Sequence, residues 1–162
     1  MKKILGLLMM LGLMVSFGGC GKDTPTGPQG QTIEVYHGEN EDGDKIEYQF
    51  YRNGNELIKH GYYKEYGEDG QKWKEGNYKD GEKDGKWFEY YEDGQIKWEI
   101  NYKDGKWDGK RVKYYENRQI MEEGNYKDGK QEGKWVKYDV EGNITDEYCY
   151  DMGEEVDCPD DD

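Results

Sequence analysis

Few side chains in this sequence can do bond-making chemistry. Ser16 is the only serine and lies in an apolar run close to the N-terminus. If that run is removed as an export signal, no Ser-His-Asp nucleophile remains. His37 and His60 are the only histidines, and neither they nor the cysteines fall at zinc-ligand spacing, so no metal site and no cofactor are expected. Residues 39–47 are acidic around Gly43, but an EF-hand loop would need an acid where Gly38 stands. Asp80, Asp104 and Asp128 recur at one spacing and read as turn formers before they read as weak Ca²⁺ ligands. The chain is therefore expected to be a binding protein and not an enzyme. The side chains suited to binding are aromatic: Trp87, Tyr91, Tyr115 and Trp135 are candidates for a binding face, as a ladder for a partner chain or a sugar.

These residues belong to a repeat. Shifting the sequence by 24 residues superimposes Gly61, Gly85, Gly109 and Gly133, then Tyr78, Tyr102, Tyr126 and Tyr150, then Gly81, Gly105, Gly129 and Gly153. The same shift aligns Glu75, Glu99, Glu123 and Glu147. A fixed period of this size marks a tandem array. Within one unit, residues 86–92 and 95–102 are rich in aromatic and β-branched residues and flank Asp93-Gly94, a hairpin signal that predicts a type I′ turn there. Arg118 stands where the other units have Gly70, Gly94 and Gly142 and predicts a less comfortable turn. Strand alternation predicts one apolar face, with Phe88, Tyr90, the isoleucines Ile96, Ile120 and Ile144, and the Tyr102 column. The opposite face is predicted to be charged, with Glu89, Glu99 and Asn101, and Trp87 and Tyr91 stand out on it. The fold class predicted is all-β, an elongated single-layer antiparallel sheet of tandem β-hairpins.

In chain order, residues 1–19 read as an export signal: Lys2 and Lys3 precede an apolar run too short to span a membrane. The end of that run, Phe17-Gly18-Gly19-Cys20, resembles the lipobox of bacterial lipoproteins, which implies lipidation at Cys20 and attachment to a membrane outside the cytoplasm. An ordinary cleaved signal or an uncleaved anchor is the alternative. Residues 20–31, with Pro25 and Pro28, read as a flexible tether. Residues 32–60 read as a degenerate N-terminal cap, 61–157 as the array, and 158–162 as an acidic tail.

Charge excludes some partners. The full chain carries a net charge of −14. Without residues 1–19, which contribute two lysines and no acid, 21 basic residues face 37 acidic ones, a net −16. A surface of that sign argues against nucleic acid and against anionic head groups, and suits a basic protein partner. If Cys20 carries lipid, Cys149 and Cys158 remain, and in an exported chain they are expected to form a disulfide that clamps the last strand; two free thiols are the alternative.

The run Tyr78-Lys79-Asp80-Gly81-Glu82-Lys83-Asp84-Gly85, with YKDGKWDG at 102–109 and YKDGKQEG at 126–133, resembles the Tyr-x-x-Gly-x-x-x-Gly core of MORN repeats, in their bacterial variant. The resemblance implies an elongated ribbon of hairpins with scaffold and interaction roles. It also brings an antitoxin label under which bacterial members are often grouped, with capture of a basic toxin as the corresponding role. Choline- and glucan-binding wall repeats have a similar composition, so a glycan is a further expected ligand class, although their tandem Trp-Tyr-Tyr pattern is absent.

Overall fold

The structure, a computed structural model, describes residues 26–159. Cys20, the lipobox-like run and the terminal residues 160–162 lie outside that range.

Eleven strands form one antiparallel sheet in chain order, and each strand pairs only with its sequence neighbours. They are β1 (Glu34–Glu39), β2 (Lys45–Asn53), β3 (Glu56–Tyr66), β4 (Lys72–Lys79), β5 (Glu82–Tyr90), β6 (Ile96–Lys103), β7 (Lys106–Tyr114), β8 (Ile120–Lys127), β9 (Lys130–Tyr138), β10 (Ile144–Asp151) and β11 (Glu154–Val156). The only other regular element among the described residues is a 3-10 turn, Pro28–Gly30.

Two kinds of connection alternate. Type I′ turns do occur, but at Asp80-Gly81 (φ 51° and 90°), Asp104-Gly105 (47° and 76°), Asp128-Gly129 (50° and 84°) and Met152-Gly153 (51° and 89°). The Asp93-Gly94 connection is different, which corrects the type I′ turn expected there: only Gly94 has positive φ, 80°. Tyr91 N–H bonds Gln95 O at 2.8 Å and Gly94 N–H bonds Tyr91 O at 2.9 Å. This is a three-residue loop closed by a left-handed residue. Asp93 serves it through its side chain, accepting from Gln95 N–H at 2.9 Å. In the next unit Asn117 does the same for Gln119 N–H at 3.0 Å, and Arg118 adopts the left-handed φ of 71°. One long edge of the sheet thus carries two-residue turns and the other three-residue loops.

The mid-strand glycines have a separate purpose. Between Glu75↔Phe88 and Asn77↔Asp84 the register slips by two residues on β5, and the slip falls at Gly85, whose φ is 74°. The same slip recurs in β7 and β9 at Gly109 and Gly133. Such bulges bend a strand and re-aim the side chains beside them. Here the side chain after the bulge, Trp87, is laid across Gly76 of the neighbouring strand. A Cβ at Gly76 would come within 2.3 Å of the indole, so only glycine fits beneath it.

Pairing also corrects the expected faces. Trp87 is opposite Ile100 and Gly85 is opposite Tyr102, so the Tyr102 column shares a face with Trp87 and not with Phe88. Phe88 is opposite Glu99, and a slip between Glu89 and Tyr90 sets Ile96 opposite Tyr90. Alternation sorts side chains within a strand; which face joins which across strands depends on register.

The two ends differ. Residues 26–31, expected as part of a tether, fold back: Thr26 bridges Thr32, and a Cβ on the buried Gly27 would stand 3.1 Å from the Tyr51 ring. At the other end β11 is three exposed residues long, and Cys149 of β10 is bridged to Cys158 just beyond it. A short, acidic, tethered edge strand is a poor template for further pairing.

Candidate interaction surface

The face that carries Trp87 is a continuous run of rings. Tyr36, Tyr48, Tyr63, Tyr78, Trp87, Tyr102, Trp107, Tyr126, Trp135 and Tyr150 touch in that order, with successive centroids 4.7 to 6.4 Å apart. Most contacts are edge-to-face, the arrangement that aromatic quadrupoles favour. Cations are inserted between the rings. The Lys59 ammonium lies 4.8, 5.0 and 5.1 Å from the rings of Tyr48, Tyr63 and Tyr78, and burial there pushes its pKa down. Lys83 lies 4.2 Å from Trp87 and 4.9 Å from Tyr102.

In the following unit the two partners exchange places. Trp107 occupies the column of Lys83, and Arg111 occupies the column of Trp87. The Arg111 guanidinium packs 4.0 Å from Trp98, 5.5 Å from Trp107 and 5.6 Å from Trp135, and its Nη1 donates to Glu122 at 2.8 Å. The cation–π contact survives with its residues reversed, because it requires one ring and one cation in contact and not a particular position for either.

Trp87 and Trp135, expected on an open charged face, are each only 3 % exposed. Their indole N–H groups donate to Asn77 O at 3.0 Å and Asn125 O at 3.2 Å. They form the core and offer no ring face to a partner. The reason is the glycine-floored bulge, which turns a nominally outward column onto the neighbouring strand.

The opposite face is a carboxylate ladder. Glu75 accepts from the Tyr90 hydroxyl and pairs with Lys72 at 2.7 Å. Glu123 accepts from Tyr138 at 3.0 Å and pairs with Lys110 at 2.7 Å. Glu99 pairs with Lys86, and Glu147 with Lys134 at 2.9 Å. The Lys110 bond holds the Glu123 carboxyl below the usual carboxylate range. For Glu75 burial pushes upward, yet Lys72 and Tyr90 together prevail and the carboxyl is again held low. Burial first, and then the bond to Glu75, raises the Tyr90 phenol.

Tyr91 and Tyr115 lie at the edge of three-residue loops, half-buried. The Tyr91 hydroxyl donates to Tyr114 O at 2.6 Å, and that of Tyr115 to Tyr138 O at 2.8 Å, each reaching the next unit. Their rings wall two adjoining grooves. One, of about 680 Å³, is lined by Trp73, Lys74, Glu89, Tyr91, Lys97 and Glu116, among others. The second, of about 370 Å³, is lined by Tyr91, Tyr115, Glu116, Asn117, Met121 and Val140. Trp73 is 40 % exposed. Sequence reasoning misses it, although a signal exists: its column reads Trp73, Lys97, Met121 and Thr145, and beside it Gly67 replaces the Tyr91 and Tyr115 of later units. The two changes go together, because the absent side chain at Gly67 leaves room for the indole, to which a Cβ there would come within 2.6 Å.

Of the turn acids, Asp80 accepts from the Tyr51 hydroxyl at 3.2 Å and meets His60 Nδ1 at 3.1 Å. Among the described residues no group of three or more His, Cys, Asp or Glu side chains is gathered to hold a metal ion.

The geometry defines the class first: an open, one-layer antiparallel sheet in which every unit is a strand, a three-residue loop, a strand and a two-residue turn. Residues 59–80, 83–104 and 107–128 each match the MORN repeat variant, so this part of the sheet is a tandem MORN array. Repeats of this kind are commonly modules for interaction with proteins or membranes. Residues 131–152 repeat the same strand, loop and strand. No curated protein matches the chain.

Proposed function

We propose that this protein is a non-enzymatic interaction scaffold, exported and held at a membrane through lipid on Cys20, that presents one side of its repeat sheet to another protein. One observation carries the reading. The side chains of both faces are largely engaged with the neighbouring unit, ring to cation on one and carboxylate to lysine and phenol on the other. The edge of three-residue loops, in contrast, keeps an exposed tryptophan and two open grooves. A rigid surface with unused aromatic area suits protein recognition, because little conformational entropy is lost when a partner docks.

Two measurements test this. Cell fractionation of wild type and Cys20→Ser checks the tether; the variant is expected to leave the membrane fraction, and full retention would remove the lipid from the proposal. Affinity capture with the full chain from its own cell envelope, read by mass spectrometry, checks the scaffold role. A stoichiometric protein partner is expected, and recovery of none would end this reading. The acidic balance of the chain supports a second reading, an antitoxin or immunity role against a basic protein. In that case the captured partner is basic and its affinity falls steeply as salt rises.

A further inference from the structure

The two grooves along the loop edge differ in chemistry and are related by the repeat. The groove at Trp73 sets three rings, Trp73, Tyr90 and Tyr91, among the carboxylates of Glu89, Glu92, Asp93 and Glu116, against the lysines Lys74 and Lys97, the latter with its ammonium 5.5 Å from the Tyr91 ring. Carboxylates are in excess, and burial together with Glu116 and Asp93 raises the Tyr91 phenol. Aromatic walls rimmed by acids suit a cation. Gly67 seats the indole: a Cβ there would come within 2.6 Å of Trp73. One unit further along, the equivalent positions are Tyr115, Met121 and Val140, and Val140 is 49 % exposed. Lys97 has become Met121 and Glu116 has become Val140, so this groove is less polar than the first and has an apolar patch at Met121 and Val140, with Glu116 and Asn117 remaining in its wall.

The spacing follows from sheet geometry. One unit is two strands, so the ring walls Tyr91 and Tyr115, which are equivalent, lie about 9.6 Å apart across the sheet, while Trp73, two units from Met121, closes the far end of the first groove. Three residues of extended or polyproline-type chain advance about 9–10 Å. We propose that the loop edge docks an extended segment of the partner protein laid across the strands, with a lysine or arginine in the Trp73 groove and an apolar side chain three residues away in the Tyr115–Met121–Val140 groove. The grooves are contiguous, since both are lined by Tyr91 and Glu116. The bonds from Tyr91 to Tyr114 O and from Tyr115 to Tyr138 O hold the two ring walls in place before any partner arrives. This inference rests on the interaction reading and supplies its surface and the chemistry of its ligand.

Fluorescence anisotropy of labelled nonapeptides on the full chain tests it. A peptide with Arg and Leu three residues apart is expected to bind about tenfold more tightly than the same peptide with Arg→Glu, with Leu→Ser, or with the pair moved to a separation of five. Trp73→Ala and Met121→Glu should each lose about tenfold, while Trp73→Phe, which keeps a ring over Gly67, retains most of the affinity. Both altered sites are at the surface, so unchanged circular dichroism identifies the loss as local. Affinity that ignores the spacing, or persists in the Trp73→Ala, Met121→Glu double variant, overturns the proposal. So does displacement of the peptide by a neutral chito- or gluco-oligosaccharide, which would make the groove a sugar site. Undiminished capture of an envelope partner by the double variant would discard this surface and leave the scaffold standing, whereas absence of capture by wild type would remove both.

Discussion

On one face of the sheet ten rings follow one another with cations tucked between them; on the other, each of four glutamates is held by a lysine, two of them also by a tyrosine hydroxyl. The same backbone supports both, yet the forces differ. Ring packing derives from apolar area and quadrupoles and is indifferent to moderate pH and salt. The carboxylate ladder depends on ionised acids that are partly exposed, so it is weaker and tunable. A one-layer sheet has no second layer to cover it, and these faces show how it remains ordered: one face is covered by its own large rings, and the other keeps its charges matched around a narrow apolar strip in which Val112 is buried.

The largest effect should come from the ring face. Trp87→Ala removes a nearly fully buried side chain over a glycine and is expected to cost about 3–5 kcal/mol in denaturant unfolding. Phe88→Ala, one residue away on the ladder face and only half-buried, should cost no more than about half as much; equal losses would erase the contrast between the faces. Next is the clamp at the end of the sheet. Reducing the Cys149–Cys158 bridge should lower stability by about 2–3 kcal/mol, and hydrogen exchange should localise the loosening to β10 and β11.

The ladder face should respond to acid. Glu75 and Glu123 have folded pKa values held below the ordinary carboxylate value of 4.5. The stability they contribute is therefore complete above that value and is lost as pH falls through the lower folded ones. Glu123→Gln should destabilise by about 1 kcal/mol at neutral pH and flatten the profile below the ordinary carboxylate value of 4.5. A wild-type profile that stays level over this range would remove the ladder's electrostatic role. The smallest effect expected is a gain. Arg118→Gly places glycine at a φ of 71° and should stabilise by about 0.5 kcal/mol, net of losing the Arg118 Nε–Gln95 bond at 2.8 Å.

The register of the repeat, its strand content and its open one-layer form were legible in the sequence, because glycine and tyrosine recur at a spacing that only a tandem array explains. The bridged cysteines were legible for a similar reason: Cys149 interrupts a column of asparagines where the array ends. The faces were not. Gly85 and its equivalents were visible, but nothing local says that such a glycine is a bulge that slips the register by two, and that slip buries Trp87. Asp93-Gly94 and Asp80-Gly81 carry the same two letters, yet only the second forms a type I′ turn. In the first, the Asp93 side chain is occupied in closing the loop. Tyr91 and Tyr115 were legible as unusual, though not as clasps between units, since their bonds reach carbonyls 23 residues away. Trp73 is easily passed over because it does not recur: its column reads Trp73, Lys97, Met121 and Thr145.

The exchange of Lys83 and Trp87 for Trp107 and Arg111 has a consequence for how such a protein can change its length. Because every strand leans only on the next, a unit can be excised or duplicated when each ring-face residue travels with the residue that floors it, Gly76 with Trp87, Ile100 with Arg111 and Gly124 with Trp135; a break that parted these pairs would set Ile100 beneath an indole or leave a glycine uncovered. Each such event would move the far terminus by about 10 Å. The sheet is in this sense a ruler whose graduations are matched pairs, lengthened or shortened by whole pairs and not by single strands.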